Sequence, residues 1–451
     1  MGRFRFIHAA DIHLGSILHI DGSEDRQELR NICREATYQA FKNLSRMAIE
    51  LQVRFILISG DLYDSEARSI RANRFFADEC RRLDEAGIEV FVTAGNHDPA
   101  GEHREIFSLP DNVHIFKADR PEVYCVRDEG GKPLAAVVGQ SYQTRQVKVP
   151  LHLDYPSPDR GMFRIAMLHT QLEAGKSIYI PASISELINN ASFDYWALGH
   201  IHKPQILHRE KPVIAYAGIP QGRDFGEQSP GGCWLAEVDG TELKDMKYMV
   251  ASPVVYKSIN IDIGCPELSQ AASLDQLEDY LYTYAKSMLD KDVSGREDAA
   301  LLNNSADLFN IEGFVVRWQI GGRGKLHHTL ANDRQGSEQE LCRYLREMLW
   351  NSEPFLWTDS IEIHTASPVT DEVLSRHPML KELIDQAVRS IKEDGKKRNR
   401  FISLLGKAWT TNTDHEGQDN EKLPLDDETL ENIIKDASQL LLEGLAEGGE
   451  D

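Results

Sequence analysis

Cysteine is sparse: six among 451 residues, at Cys33, Cys80, Cys125, Cys233, Cys265 and Cys342, with no Cys-x-x-Cys pair and no regular spacing. That scatter argues against a disulfide framework or a thiolate metal cage and leaves reduced thiols that serve as small packing residues. Long apolar runs are missing too. No stretch approaches the roughly 20 apolar residues that span a bilayer. The N-terminus enters a strand-like run at Phe4, Phe6 and Ile7, without the apolar segment and cleavage site of a signal peptide. A cytoplasmic chain with no membrane segment is the expectation. Positive charge is also scarce, with 50 Lys and Arg against 72 Asp and Glu and a formal net charge of -22. Phosphate backbones are gripped by clustered cations, so a surface that is basic all over is excluded, while local patches are not. Between Asp414 and Asp451 thirteen acidic residues face only Lys422 and Lys435, so half of the excess belongs to a C-terminal tail.

What is present is a normal globular composition, 41% hydrophobic, in a chain long enough for two or three domains. The first hundred residues alternate. A strand-like run from Phe4 to Ala9 precedes an apolar stripe at helical spacing from about Glu24 to Gln52. The run Phe55-Ile56-Leu57-Ile58, a second helical stretch from about Ser69 to Ala86, and the run Ile88 to Val92 follow. Short continuous apolar runs of this kind suit strands covered on both faces. Strand and helix in alternation imply a parallel α/β sheet with right-handed crossovers, whose strand ends line up on one edge. Shorter strands follow, around Val113 to Phe116, Glu122 to Val126, Leu134 to Val138, Phe163 to Leu168, Tyr195 to Leu198, Val213 to Ala217, Gly232 to Val238 and Asp245 to Val250.

Polar clusters stand at the ends of five of these runs: Asp11-Ile12-His13, Gly60-Asp61-Leu62-Tyr63-Asp64, Gly95-Asn96-His97-Asp98, His169, and Gly199-His200-Ile201-His202. At period-two spacing Asp11 and His13 point the same way, as do His200 and His202, so each pair can grip an ion from one side. Any one cluster could be an ordinary polar turn. Together they bring Asp11, His13, Asp61, Asn96, His169, His200 and His202 to one edge. Carboxylate, amide oxygen and imidazole without thiolate suit manganese, iron or zinc, and seven donors suit two ions rather than one. Such a pair clamps the attacking and leaving oxygens of a phosphoryl displacement. With Asn96 a ligand, His97 is left to protonate or stabilise the leaving oxygen, and Asp98 to orient its ring.

These motifs, in this order, resemble those of the calcineurin-like metallophosphoesterase superfamily. The resemblance implies a two-sheet α/β sandwich with a dinuclear site, in which Asp11, His13, Asp61 and His202 hold one ion and Asp61, Asn96, His169 and His200 the other. Within the superfamily, the opening Phe6-Ile7-His8-Ala9-Ala10-Asp11-Ile12-His13-Leu14-Gly15 and Gly60-Asp61-Leu62-Tyr63-Asp64 resemble the DNA-repair exonuclease branch, the SbcD-like and YhaO-like proteins. That branch implies two divalent ions, Mn2+ first with Fe2+ or Zn2+ as alternatives, and digestion of DNA at double-strand ends. It also implies a homodimer, a capping domain beside the DNA site, and a C-terminal helical segment for an SMC-type, SbcC-like ATPase.

The texture shifts after Ser252. Strands around Tyr256 to Ile263, Gly313 to Ile320 and Ser360 to Thr365, with helices over Leu274 to Leu289 and Glu338 to Leu349, make an α+β module. His327-His328 reads as a surface pair, pointing to opposite faces if on a strand. Beyond Pro368 the chain is helical, with a basic run at Lys396-Lys397-Arg398-Asn399-Arg400, a polar stretch from Thr410 to Lys422, and an amphipathic stripe from Leu430 to Leu445. The expected architecture is a phosphoesterase domain over 1–251, an α+β capping domain over 252–367 and an acidic, helical partner-binding segment over 368–451. The expected activity is a metal-dependent DNA exonuclease. Its rivals are a phosphodiesterase or phosphatase for small nucleotides or phosphoproteins, and a DNA-end scaffold without chemistry.

Overall fold

The computed structural model describes residues 2–64, 69–101, 106–172, 178–293, 311–367 and 378–405, with 429, 430, 433, 434 and 437. Two six-stranded sheets lie face to face. The first contains β1 (Arg3–Ala9), β2 (Phe55–Ser59), β3 (Glu89–Thr93) and β4 (Val113–Ile115), all parallel, with β11 (Gly232–Asp239) antiparallel beside β1 and β12 (Glu242–Val250) antiparallel beside β11. The second runs β5-β6-β7-β8-β10-β9, from β5 (Glu122–Arg127), β6 (Pro133–Gly139), β7 (Phe163–His169), β8 (Tyr195–Gly199), β9 (Gln205–His208) and β10 (Val213–Tyr216). Its four central strands are parallel and its two edges antiparallel.

β2 shows why its apolar run is continuous. Phe55 and Leu57 point between the sheets, beside Phe6, Phe91, Phe163, Ile165 and Tyr195, while Ile56 and Ile58 point outward to the helices. A strand covered on both faces favours apolar side chains along its length, and the only polar residue of β2, Ser59, is its last. The outward face is covered by α1 (Gln27–Glu50) and α2 (Ile70–Glu85) through Phe41, Leu44, Phe76 and Leu83. Ser69 caps α2, its hydroxyl accepting from the Ala72 amide at 3.1 Å. On the far side of the second sheet, Trp196 packs with Tyr142, Tyr155, Phe193 and Leu187, the last from α3 (Ile184–Asn189). The one strand of this region unforeseen in the sequence is β9, an edge strand whose apolar content is only Ile206 and Leu207.

The third sheet has three parallel strands, β13 (Val254–Asp262), β14 (Gly313–Arg323) and β15 (Phe355–Ala366). The module expected as α+β is therefore built from strand-helix-strand crossovers, using α4 (Leu274–Val293), then α5 (Leu326–Asn332) and α6 (Arg334–Leu349). His327 and His328 lie on α5 and not on a strand. One face of this sheet packs on the helices through Trp318, Leu281, Leu341 and Leu345. The other packs on the first unit: Tyr256, Val315, Phe355 and Trp357 meet Leu18, Ile20, Leu29, Cys33 and Ala36. Polar bonds close the seam, the Trp357 indole donating to the Asp21 carbonyl at 2.9 Å and the Asp359 carboxylate accepting the Asp21 amide at 2.8 Å.

α7 (Pro378–Glu393) and α8 (Gly395–Leu404) continue the chain, with the basic run on α8 and the Asp394 carboxylate capping its first turn. The polar stretch expected from Thr410 to Lys422 lies outside the described residues. Of the last stripe, Leu430 and Ile434 are described and buried. All six cysteines are free thiols. Among the described residues no helix is long and apolar enough to cross a membrane.

Candidate metal centre

The polar clusters meet because five strands end at one rim of the sandwich. β1, β2 and β3 deliver Asp11, His13, Asp61 and Asn96 from one sheet; β7 and β8 deliver His169, His200 and His202 from the other. The backbone leaves the strands abruptly. Asp11, His13, Asp61 and His200 have φ of 51°, 44°, 50° and 96°, a left-handed region that costs a non-glycine residue about 1–3 kcal/mol and persists only where the surroundings enforce it. Gly95 shows how close the loops come. A Cβ there would collide with the Asp61 carboxylate and stand 2.6 Å from the Asp61 amide nitrogen.

The donors form two halves around Asp61. On one side Asp11, His13 and His202 place one donor atom each within 4.8 Å of one another, with His13 Nε2 and His202 Nε2 3.4 Å apart. On the other, the Asn96 amide oxygen lies 2.9 Å from His169 Nε2 and 3.2 Å from His200 Nδ1. Asp61 Oδ2 is 3.3 Å from His169 Nε2, and Asp61 Oδ1 accepts the His97 amide at 2.9 Å. Asp11 is fully buried and accepts the His200 amide at 3.0 Å.

Burial decides the direction at three of these groups. It pushes the Asp11 carboxyl up to about 6 and holds His200 down at about 3 and His13 well below the usual imidazole range. Neutral imidazole is the form that binds a metal. Burial opposes charge on Asp61 as well, but His169 beside it wins and keeps that carboxyl well below the usual range. Burial likewise acts downward on His169, and the Asp61 and Asp11 charges outweigh it, raising His169 to about 9. His13 Nδ1 is buried without a hydrogen-bond partner among the described residues. Two buried carboxylates, imidazole nitrogens facing each other and an orphaned ring nitrogen form a donor set that fits divalent cations better than protons.

His97 stands at the mouth, its side chain 41% exposed. The carboxylate opposite its ring is Asp64, with Nδ1 and Oδ1 3.5 Å apart, and this contact raises the His97 pKa. Asp98, expected to orient that ring, does something else. Its two oxygens accept the amides of Gly95 at 2.9 Å and Tyr63 at 3.1 Å, so it braces the loop backbone. Neighbouring residues point apart, and Asp98 points inward, where burial lifts its carboxyl to about 7.

The sequence profile of calcineurin-like phosphoesterases matches residues 4–204. Those residues form a calcineurin-like phosphoesterase domain. The chain is 34% identical over 260 residues to the uncharacterized metallophosphoesterase YhaO of Bacillus subtilis, covering 57% of this chain and 63% of that protein. It is 29% identical over 253 residues to the DNA double-strand break repair protein Mre11 of Methanocaldococcus jannaschii, covering 53% and 63%. With a component of the nuclease SbcCD of Escherichia coli K12 it shares 26% over 259 residues, covering 49% and 62%. The chain thus spans under two thirds of each of these relatives.

The phosphoesterase domain's rim carries three residues that sequence reasoning left without a role. Asp64 was visible as the last residue of its Gly-Asp-x-x-Asp cluster. Arg223 and Glu227 lie in a loop beyond the matched span, and nothing in their spacing pairs them with His202. Yet Glu227 Oε1 is 2.5 Å from His202 Nδ1, and the Arg223 guanidinium is 3.6 Å from Asp64 and 3.5 Å from Glu227.

Proposed function

We propose that this chain is a dinuclear metal-dependent phosphodiesterase that digests DNA from double-strand ends. The observation that carries the reading is the convergence of seven oxygen and nitrogen donors, from five strand ends, on one rim. In this reading Asp11, His13, Asp61 and His202 hold one divalent ion and Asp61, Asn96, His169 and His200 the other, Mn2+ first among the candidates. The ions would supply the positive charge that a phosphoryl displacement needs at its attacking and leaving oxygens. His97 is the acid for the leaving oxygen: Asp64 at Nδ1 favours the protonated ring, the form an acid requires. Asp98 serves by fixing the loop that carries Asn96 and His97.

The choice of DNA rests on the names of two relatives, a double-strand break repair protein and a nuclease component. A module of three strands and three helices next to the rim suits a large substrate better than a small nucleotide. We divide the chain into a catalytic domain over 1–251, a capping domain over 252–367 and a partner-binding segment over 368–451. The expected setting is a cytoplasmic homodimer whose helical segment meets an SMC-type, SbcC-like ATPase.

The test is digestion of an end-labelled duplex by the purified chain with Mn2+, beside Asn96→Ala, His97→Ala and a chelator. Loss of end-dependent products is the expected result in both variants: by at least about 100-fold in His97→Ala, the range for removal of a proton-transfer group, and in Asn96→Ala through removal of a metal ligand. Cleavage of a simple phosphodiester with no attack on DNA, even with the ATPase added, would favour a small-substrate enzyme. DNA binding without turnover of either would favour a scaffold.

A further inference from the structure

The loop from Gly218 to Gly231 contains none of the strand-end motifs, yet it touches the metal centre on one side and the third sheet on the other. It starts against the candidate ligand, the Ile219 amide donating to the His202 carbonyl at 3.0 Å. It then doubles back at Gly222, where a Cβ would stand 2.6 Å from the Glu227 carbonyl oxygen. The fold-back is held by the Arg223 amide, which donates to Glu227 Oε2 at 2.7 Å. The other oxygen of Glu227 faces His202 Nδ1 at 2.5 Å. An imidazole that donates Nδ1–H to a carboxylate keeps its Nε2 lone pair for an ion and gains basicity. That Nε2 is the atom 3.4 Å from His13 Nε2 and 3.8 Å from Asp11 Oδ1.

The same loop is gripped from outside. Gln221 makes two bonds to the start of β13, its Nε2 donating to the Val254 carbonyl at 2.9 Å and its Oε1 accepting the Val254 amide at 3.2 Å. Gln228 Oε1 accepts the Ser258 amide at 2.8 Å. Between them Phe225 sits edge to face on Tyr256, centroids 5.1 Å apart, under the Arg317 guanidinium of β14 at 4.1 Å. Arg317 is itself fixed by Asp359 of β15 at 3.2 Å. All three strands of the third sheet therefore bear on a loop whose next turn ends at Glu227.

We propose that Glu227 is a positioning residue for His202, and that the third sheet, through Phe225 and Arg317, holds Glu227 in place and so sets the geometry of one half of the metal centre. This inference rests on the metal reading above. It gives the third sheet a role at the metal centre that does not require contact with DNA.

The experiment is calorimetric titration of the metal-free, full-length chain with MnCl2, for the parent, Glu227→Gln and Arg317→Met, with thermal unfolding of each metal-free protein alongside. In the parent, two ions bind. In Glu227→Gln one of the two binding steps weakens by about 10–100-fold, the usual range for loss of a partner behind a metal-binding histidine, while the other step is retained. Arg317→Met weakens the same step by a smaller factor. Two ions bound with parental affinity in Glu227→Gln would overturn the inference, and a lowered unfolding temperature with that affinity intact would mark the residue as structural. Weakening in Glu227→Gln but not in Arg317→Met would overturn the part given to the third sheet. A parent that binds no Mn2+ would overturn the metal reading and this inference with it.

Discussion

At the scale of the residue, the rim shows how a neighbour in space outranks a neighbour in sequence. Asp98 follows His97 directly, and the pair suggests a carboxylate holding an imidazole. A strand-end turn sends successive side chains to opposite sides, so Asp98 goes into the core to bond two amides and the ring meets Asp64 instead. His8 is a second case. It lies wholly buried in β1, with Nδ1 2.8 Å from the Tyr195 hydroxyl and Nε2 3.1 Å from the Leu198 carbonyl. The carbonyl can only accept, so Nε2 carries the proton and Nδ1 accepts from the tyrosine. Burial depresses its pKa to about 3, whereas an unfolded chain has a histidine near about 6.5. The unfolded state therefore takes up the proton first. Stability from this site is complete above about pH 6.5 and drains away as pH falls towards the folded value, at about 1.4 kcal/mol per unit. Urea unfolding at pH 7.5 and 4.5 is expected to show the parent losing about 2–3 kcal/mol more than His8→Gln.

At the scale of the element, the central strands were legible because burial on both faces writes continuous apolar runs. β2 and β8 are the plain instances, five residues each, every one buried. β9 was not legible, since an edge strand needs only its ladder bonds to β10. The ends of the strands were legible as chemistry and illegible as geometry. Gly199 marks the difference: a Cβ there would collide with the Ser59 carbonyl of the facing sheet and stand 2.9 Å from the Ala10 Cβ. The glycine therefore sets how closely the two sheets approach at the rim. Gly199→Ala is expected to cost about 1–3 kcal/mol of stability, as overpacking does, and to lower Mn2+ affinity because His200 is the next residue. Unfolding of the metal-free chain and metal titration check the two effects separately.

At the scale of the molecule, the third sheet rests on the first unit through an apolar seam with Trp357 at its edge, only 4% exposed and stacked under Arg346 at 4.5 Å. Truncation there, Trp357→Ala, is expected to cost about 3–5 kcal/mol and to leave the Asp21 carbonyl without the indole donor. If the seam unites the units, the loss appears as a lower midpoint of one transition in urea; if it does not, two transitions separate. The α/β class, the succession of strands along the chain through β8 and the polar clusters at their ends were written in the sequence. Those follow from local rules, apolar periodicity and side-chain chemistry, which act over a few residues. It took the folded chain to set Asp64 against His97, Glu227 behind His202, and the third sheet on the loop that carries Glu227. Such contacts join residues 25 positions apart, as His202 and Glu227, up to 92 apart, as Phe225 and Arg317, and folding, not spacing along the chain, brings them within reach.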